Sequence, residues 1–129
     1  MTPKDRKYSQ EHEWIMIEPQ SNIGVVGITD YAQDKLGDVV FISIPPPDTH
    51  LDQSQKLGEI ESVKTVSDLF APISGRVLEV NPSITSQPEL INQDPYGQGW
   101  LLKMTLDKAD EFENLLTSDE YDAMLGQQP

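Results

Sequence analysis

The sequence contains no cysteine, few basic residues and no long apolar run, and each shortage excludes a class of protein. Without cysteine among its 129 residues, neither disulfides nor thiolate metal sites are available. Lysine and arginine number 9 against 22 acidic residues, a formal net charge of -13. Such a surface repels nucleic-acid phosphates, so we expect no nucleic-acid partner. No stretch approaches the roughly 20 apolar residues of a membrane helix, so we expect no membrane partner either.

The motifs of a self-sufficient active site are also missing. The only two histidines, His12 and His50, are far apart in sequence, and no HxxxH pair is present. There is no Gly-x-Ser-x-Gly elbow, and Gly97-Gln98-Gly99 is too short for a phosphate-binding loop. We therefore predict that the chain is not an enzyme, with no catalytic residues and no metal site.

The stretch from Gly58 to Leu69 predicts a β-hairpin with Lys64 at its tip. Val63-Lys64 is a poor two-residue turn, because such turns favour Asn-Gly or Asp-Gly. This choice of residues indicates that the lysine is placed for its amine. The alternative is an ordinary solvated lysine on a loop, which is the fate of most lysines. The two arms carry apolar residues that suit half-buried strands: Leu57, Ile60, Val66 and Leu69.

The rest of the chain reads as short strands followed by helices, within one domain of residues 1–129. Residues 1–7 are polar and expected to be frayed, and residues 107–129 form a predicted helical extension. Thr29 or Asp30 begins a short helix that Gly37 ends. The apolar run 39–44 predicts a strand buried on both faces. Further strands are predicted at 13–18, 23–28, 76–80 and 100–106, and helices at 108–116 and from 118 to Gly126.

The residues around the lysine resemble those of lipoyl-bearing domains, and most closely the H-protein family of the glycine cleavage system. The local string is Glu61-Ser62-Val63-Lys64-Thr65-Val66-Ser67-Asp68. Neither the Asp-Lys-Ala of 2-oxo acid dehydrogenase domains nor the Met-Lys-Met of biotin carriers is present. Three other segments resemble the same family, so that the resemblance covers roughly residues 8–125: His12-Glu13-Trp14, Gly27 through Phe41, and Asp94-Pro95-Tyr96-Gly97 through Gly99-Trp100.

This resemblance implies a mainly β (α+β) fold. It would be a barrel-sandwich hybrid, the lipoyl-type flattened β-barrel of two sheets, with short peripheral and C-terminal helices. Two positions depart from the family pattern in turns before the hairpin, where Asp48 and Ser54 replace the usual glycine. Asp and Ser also suit turns, so we expect the same fold at a small cost in stability. Two further departures add charge, Glu59 on the hairpin and Glu11 next to His12.

The resemblance also implies a function, in which Lys64 carries covalent lipoate. The lipoylated chain would shuttle an aminomethyl group from glycine decarboxylase (P protein) to the aminomethyltransferase (T protein). Dihydrolipoamide dehydrogenase (L protein) would reoxidise it, and lipoylating enzymes would attach the group. By the same resemblance we expect a monomer in the bacterial cytoplasm, with a mature mitochondrial chain as the alternative.

A loaded arm ends in a cationic aminomethyl group that water attacks, so we predict a sheltering cleft beside the lysine. The candidate carboxylates that would hold the ammonium are Glu13 and Asp68, and the candidate walls are Ile28, Val63 and Pro72. Because an exposed ion pair contributes only about 0–1 kcal/mol, shelter requires partial burial. The alternative is that both acids are ordinary solvated carboxylates.

Three other functions stay open at this point. The chain could be another lipoyl or biotin carrier module, distinguished by the mass added to Lys64. It could relay lipoyl groups to other enzymes. It could also be an interaction protein that keeps the fold and is never acylated.

Overall fold

The computed structural model describes residues 2–126 and contains two antiparallel sheets with five short helices among them. The strands are β1 (Lys7–Tyr8), β2 (Glu13–Ile17), β3 (Ile23–Ile28), β4 (Val39–Ser43), β5 (His50–Leu51), β6 (Lys56–Ser62), β7 (Val66–Phe70), β8 (Gly75–Val80) and β9 (Leu102–Thr105). The helices are α1 (Asp30–Leu36), α2 (Pro82–Ser86), α3 (Leu90–Gln93), α4 (Ala109–Glu113) and α5 (Ser118–Gly126).

The larger sheet has six strands in the order β1-β2-β3-β9-β8-β5, and the smaller one has three in the order β4-β6-β7. The predicted mainly β fold of two sheets with peripheral helices is confirmed. The expected barrel closure is not seen: across residues 2–126 the strands form two sheets that share no paired strands. Between the sheets lies the main apolar core, to which both contribute fully buried side chains such as Ile15, Val26, Ile60 and Val77.

The helix α1 begins and ends as its sequence predicts. Thr29 is the N-cap, and its side-chain oxygen accepts a hydrogen bond from the backbone N–H of Ala32. Gly37 is the C-cap, with φ 81° and ψ -161°. That combination lies in a region of backbone space used almost only by glycine, so the helix stops there and the chain turns into β4.

The strand β4 corrects one expectation. Its apolar run predicts burial on both faces, but Val40 and Phe41 are exposed. The reason is that the small sheet packs on the main core with one face, and β4 is also its edge strand, which pairs only with β6 among the described strands. A register shift between Val39 and Phe41 also disturbs the alternation of faces. Val39 and Ile42 still pack on the core, so only one face of the strand is covered.

The two ends of the described chain lie against each other. Thr2 donates a hydrogen bond of 3.0 Å to the carboxylate of Asp122 in α5. Arg6 packs its guanidinium over the Trp14 ring, 4.5 Å from the ring centroid. The predicted C-terminal helices are present as α4 and α5, and residues 127–129 of the expected extension lie outside the described residues. Three elements were not predicted: the short strands β1 and β5, and the helix α2, which Asn81 caps.

Candidate functional site

Lys64 lies at the tip of the β6–β7 hairpin and is exposed, as the sequence predicts. The hairpin closes through a hydrogen bond of 2.8 Å from the Ser62 N–H to the Thr65 carbonyl. Neither Val63 nor Lys64 has a positive φ, so this is not the primed turn that demands Asn-Gly. Instead, the Ser62 hydroxyl oxygen accepts from the backbone N–H groups of Lys64 and Thr65, at 3.3 and 3.2 Å. A serine two residues before the lysine was the missed signal for this turn.

The α1–β4 turn supports the hairpin tip. The Val63 N–H donates a 3.0 Å hydrogen bond to the Asp38 carbonyl. The adjoining Gly37 lies against the Lys64 side chain: a Cβ at Gly37 would stand 3.4 Å from Lys64 Cε. Asn92 of α3 anchors the α1–β4 turn through two hydrogen bonds. Its Nδ2 donates to the Gly37 carbonyl at 2.8 Å, and its Oδ1 accepts from the Val39 N–H at 2.9 Å. The root of the lysine therefore rests on a fixed support.

A cleft of about 240 Å³ runs beside the hairpin, between β7 and α1. Apolar side chains from α1, β3 and both hairpin arms form much of its wall, and polar and charged side chains complete it. The lining residues are Glu11, His12, Ile28, Tyr31, Ala32, Lys35, Leu36, Ile60, Thr65, Ser67, Asp68 and Leu69. A largely apolar cleft that begins at Thr65, next to the lysine, has the location required to receive a group attached to Lys64.

Of the five predicted cleft residues besides Lys64, the structure brings Ile28 and Asp68 to this cleft. Val63 is not in the cleft lining, because it lies in the hairpin turn and its side chain is 70% exposed to solvent. Pro72 lines a different cavity, together with Gln53. The chain turns toward Gln53 after β7 ends at Phe70, and the Gln53 side-chain amide donates a 3.0 Å hydrogen bond to the Pro72 carbonyl.

Asp68 is at the cleft margin, and its carboxylate has a basic neighbour. Its Oδ1 lies 3.4 Å from the Nζ of Lys56, which is closer, at 2.6 Å, to Glu59. About half of each of these side chains is exposed. Exposed pairs of this kind are weak, so Asp68 can exchange Lys56 for another cation at little cost. Glu59, the unusual charge of the hairpin, faces solvent and shares this lysine.

Glu13 is buried behind the cleft, with 1% of its surface exposed. One carboxylate oxygen accepts a 2.7 Å hydrogen bond from Ser9 Oγ, and the other accepts from the Phe70 N–H at 3.2 Å. Burial raises the pKa of Glu13 to about 7, and these two hydrogen bonds oppose the rise only in part. Its carboxyl group thus joins Ser9, in the loop between β1 and β2, to Phe70 at the end of β7. Glu13 is not among the residues that line the cleft.

His12 lines the cleft, although sequence reasoning gave it no role. Its Nδ1 lies 2.7 Å from the Tyr121 hydroxyl, which also hydrogen-bonds Thr29 Oγ1 at 2.8 Å. Its ring packs on Tyr31, with centroids 4.7 Å apart. Burial lowers the pKa of His12, which favours the neutral form of the ring. The C-terminal helix α5 therefore reaches the cleft wall through Tyr121, a connection without any local sequence signal.

Known proteins identify the family. The family model described as glycine cleavage H-protein matches residues 6–128. The chain belongs to the glycine cleavage H-protein family. A glycine cleavage system H protein from Symbiobacterium thermophilum is 58% identical over 121 residues, which cover 94% of this chain and 93% of the relative. One from Staphylococcus epidermidis is 46% identical over 125 residues, covering 97% and 98%.

A solved structure gives the same assignment. The crystal structure of a glycine cleavage system H protein from Mycobacterium marinum has a TM-score of 0.89 with this structure at 41% identity, covering 97% of this chain and 99% of that one. The family assignment predicted from the residues around Lys64 is thus confirmed. The alternatives, a different lipoyl or biotin carrier module, a lipoyl relay and an unacylated interaction protein, are not favoured. Among residues 2–126, no helix is both long and apolar enough to span a membrane.

Proposed function

We propose that this H-protein family member is the lipoyl carrier of a glycine cleavage system, with lipoate attached to Lys64. The observation that carries the proposal is the position of this lysine, exposed at the tip of a stiff hairpin and next to a largely apolar cleft. In the attachment step, ATP activates the carboxyl group of lipoate as an acyl adenylate, the deprotonated lysine Nζ displaces AMP from it, and the resulting amide has no positive charge. The hairpin then holds the root of the arm while its end moves.

The bound lipoyl group would supply the redox and group-transfer chemistry, and the protein would supply position and surroundings. The partners are those of the system: the P protein that decarboxylates glycine, the T protein that takes the aminomethyl group, the L protein that reoxidises the dithiol, and the lipoylating enzymes. The chain itself would be a non-catalytic subunit, and a monomer. We place it in the bacterial cytoplasm, with a mature mitochondrial chain as the alternative.

Within this function, we assign the cleft the role of sheltering the loaded arm. Ile28, Leu36 and Ile60 would exclude water from its reactive end. Asp68 would exchange Lys56 for the terminal ammonium, and Glu11, the second carboxylate in the lining, would strengthen the attraction. Glu13, which does not line the cleft, would act indirectly by holding β7 in place through its hydrogen bond with the Phe70 N–H.

The attachment is tested by peptide mass mapping. The chain is incubated with lipoate, ATP and a lipoate–protein ligase, and then assayed for glycine–bicarbonate exchange with a glycine decarboxylase. We expect one lipoyl addition at Lys64, loss of both modification and exchange in Lys64→Arg, and neither loss in the control Lys56→Arg. Modification at another lysine, or none, would overturn the proposal. Lipoylation without any exchange would favour the lipoyl-relay alternative.

The shelter is tested on the loaded protein by measuring how fast the aminomethyl arm decomposes. Asp68→Asn should shorten its lifetime several-fold, because the ammonium loses its carboxylate. Glu59→Gln is the matched control, since Glu59 has the same lysine partner and does not line the cleft. Equal lifetimes in the two variants would remove Asp68 from the site.

A further inference from the structure

The outer face of the small sheet carries an exposed apolar surface next to Lys64, which the carrier function above does not use. In the register of this sheet, Phe41 of β4 is opposite Glu61 of β6, and Glu61 is opposite Val66 of β7. Directly paired residues project to the same side of a sheet, so Phe41 and Val66 share one face, on either side of Glu61. Phe41 is 59% exposed and Val66 57%.

Two further residues extend this surface toward the tip. Val40 is 48% exposed, in the stretch where the strand register shifts, and Val63 is 70% exposed in the turn itself. Bulges on edge strands commonly redirect a side chain. An edge strand that displays neighbouring Val and Phe residues is a liability unless something covers it, and natural edges are usually protected by charge. We call the surface of Val40, Phe41, Val63 and Val66 the tip patch.

The length of the lysine side chain indicates which partner covers the tip patch. An unmodified lysine side chain has only four methylene groups, so an enzyme that acylates its Nζ must bring its own surface against the residues around the tip. Partners that act after acylation have the added length of the lipoyl arm and can stay further away. The partner with the strongest need to cover the tip patch is therefore the acylating enzyme.

The acidic residues beside the tip patch indicate the charge expected on the partner's surface. Glu61 lies between Phe41 and Val66 of the tip patch, and the next pairing on the same face of the sheet brings Glu59 opposite Asp68. We propose that the tip patch is the docking surface for the enzyme that acylates Lys64, and that this enzyme presents an apolar centre with a basic margin. The inference rests on the proposed function, since it requires Lys64 to be the acceptor. Phe41 is the expected anchor, because large aromatic side chains dominate binding energy at interfaces.

The experiment measures initial rates of lipoyl transfer from lipoate and ATP by a lipoate–protein ligase, at varied concentrations of the carrier. Phe41→Ser and Val66→Thr should each lower kcat/KM, at least tenfold for Phe41→Ser, through a raised KM with kcat nearly unchanged. Leu78→Ser is the matched control, because Leu78 is exposed on β8 of the other sheet and should leave both constants unchanged. Equal unfolding free energies for the variants and the wild type would show that folding is not the cause.

Each other outcome has a definite meaning. If the wild type gains no lipoyl mass, the proposed function fails and the docking inference falls with it. If the wild type is acylated and Phe41→Ser matches it in kcat/KM, only the docking inference is overturned. If acylation is unchanged but fully lipoylated Phe41→Ser loses glycine–bicarbonate exchange, the tip patch belongs to the decarboxylase instead.

Discussion

Gly37 lies directly against Lys64, close enough that a Cβ at Gly37 would stand 3.4 Å from Lys64 Cε. Its backbone, with φ 81° and ψ -161°, occupies a region that side chains other than hydrogen rarely allow. We therefore predict that Gly37→Ala lowers the free energy of unfolding by about 1–3 kcal/mol. The strain arises at the support of the hairpin tip, so the rate of Lys64 acylation should fall as well.

The control for this change is Gly126→Ala. A Cβ at Gly126 would meet nothing within 4 Å, and its φ is not positive. Urea unfolding of both variants separates strain from the general effect of replacing glycine. If Gly37→Ala were as stable as Gly126→Ala, the strained turn would not be the reason for glycine at this position.

Asn92 joins the α1–β4 turn to α3, so replacing it should cost more stability than replacing its exposed neighbour Gln93. Asn92→Ala leaves the Val39 N–H and the Gly37 carbonyl without their side-chain partner. Leaving a buried polar group unsatisfied costs about 1–3 kcal/mol, so we expect a loss of about 2 kcal/mol in unfolding free energy. Hydrogen exchange at the Val63 N–H should also accelerate, because its acceptor, Asp38, belongs to the loosened turn. Gln93→Ala, on the exposed side of α3, should change neither measurement.

The hairpin, the Gly37 stop and the family were predictable from the sequence because each has a local signal. The hairpin arms have their apolar residues at regular spacing, and Gly37 follows the last residue of a capped helix. The burial of Glu13 was not predictable in this way. Its position depends on the Phe70 N–H, 57 residues away in sequence, and no local pattern encodes that approach.

The exposure of Phe41 escaped prediction for a different reason. A run of apolar residues indicates burial on both sides of a strand only when other elements cover both faces of the sheet, and that coverage is a property of the whole chain. The same applies to the cleft, where His12 and Tyr121 meet across 109 positions. The residues next to Lys64 could therefore be predicted from the local sequence. The contacts between the cleft residues could not, because they depend on how the whole chain folds.

Ser54 and Asp48 occupy backbone conformations that favour glycine, with φ values of 71° and 73°. A residue with a side chain costs about 1–2 kcal/mol in the left-handed region, whereas a new glycine costs about 0.4–1 kcal/mol through the unfolded state. We predict that Ser54→Gly stabilises the protein by a few tenths to about 1 kcal/mol. The expected gain for Asp48→Gly is similar, less the weak 3.8 Å pair with Arg76. Thermal and urea unfolding measure both.

The comparison variant is Gln10→Gly, at an exposed position without a positive φ. There, glycine brings only its entropic cost, so stability should fall by about 0.4–1 kcal/mol. A loss of stability in Ser54→Gly equal to that in Gln10→Gly would mean that the backbone at Ser54 is not strained. The resemblance to the family led us to expect glycine at both positions, and the positive φ values supply a physical reason for that expectation.

Glu13 should make the stability of the protein depend on pH in a defined window. Burial raises its pKa from 4.5 to about 7, so the folded state keeps a proton that the unfolded state has already released. Between these two values the unfolded state binds fewer protons, and stability therefore falls as pH rises. Its favourable contribution is complete below pH 4.5 and lost above about pH 7. At about 1.4 kcal/mol for each pKa unit, the loss across the window is about 3 kcal/mol.

Glu13→Gln isolates this effect from the many other carboxylates. Glutamine stays neutral, and its amide can serve both Ser9 Oγ and the Phe70 N–H, the two groups that Glu13 contacts. We expect the wild type to lose about 3 kcal/mol relative to Glu13→Gln between pH 4.5 and pH 7 in urea unfolding, because only the wild type must bury a charge as pH rises. Parallel stability curves for the two proteins would mean that Glu13 titrates alike in the folded and unfolded states. In that case, the hydrogen bonds that tie β7 to the first loop would offset the burial of its charge in full.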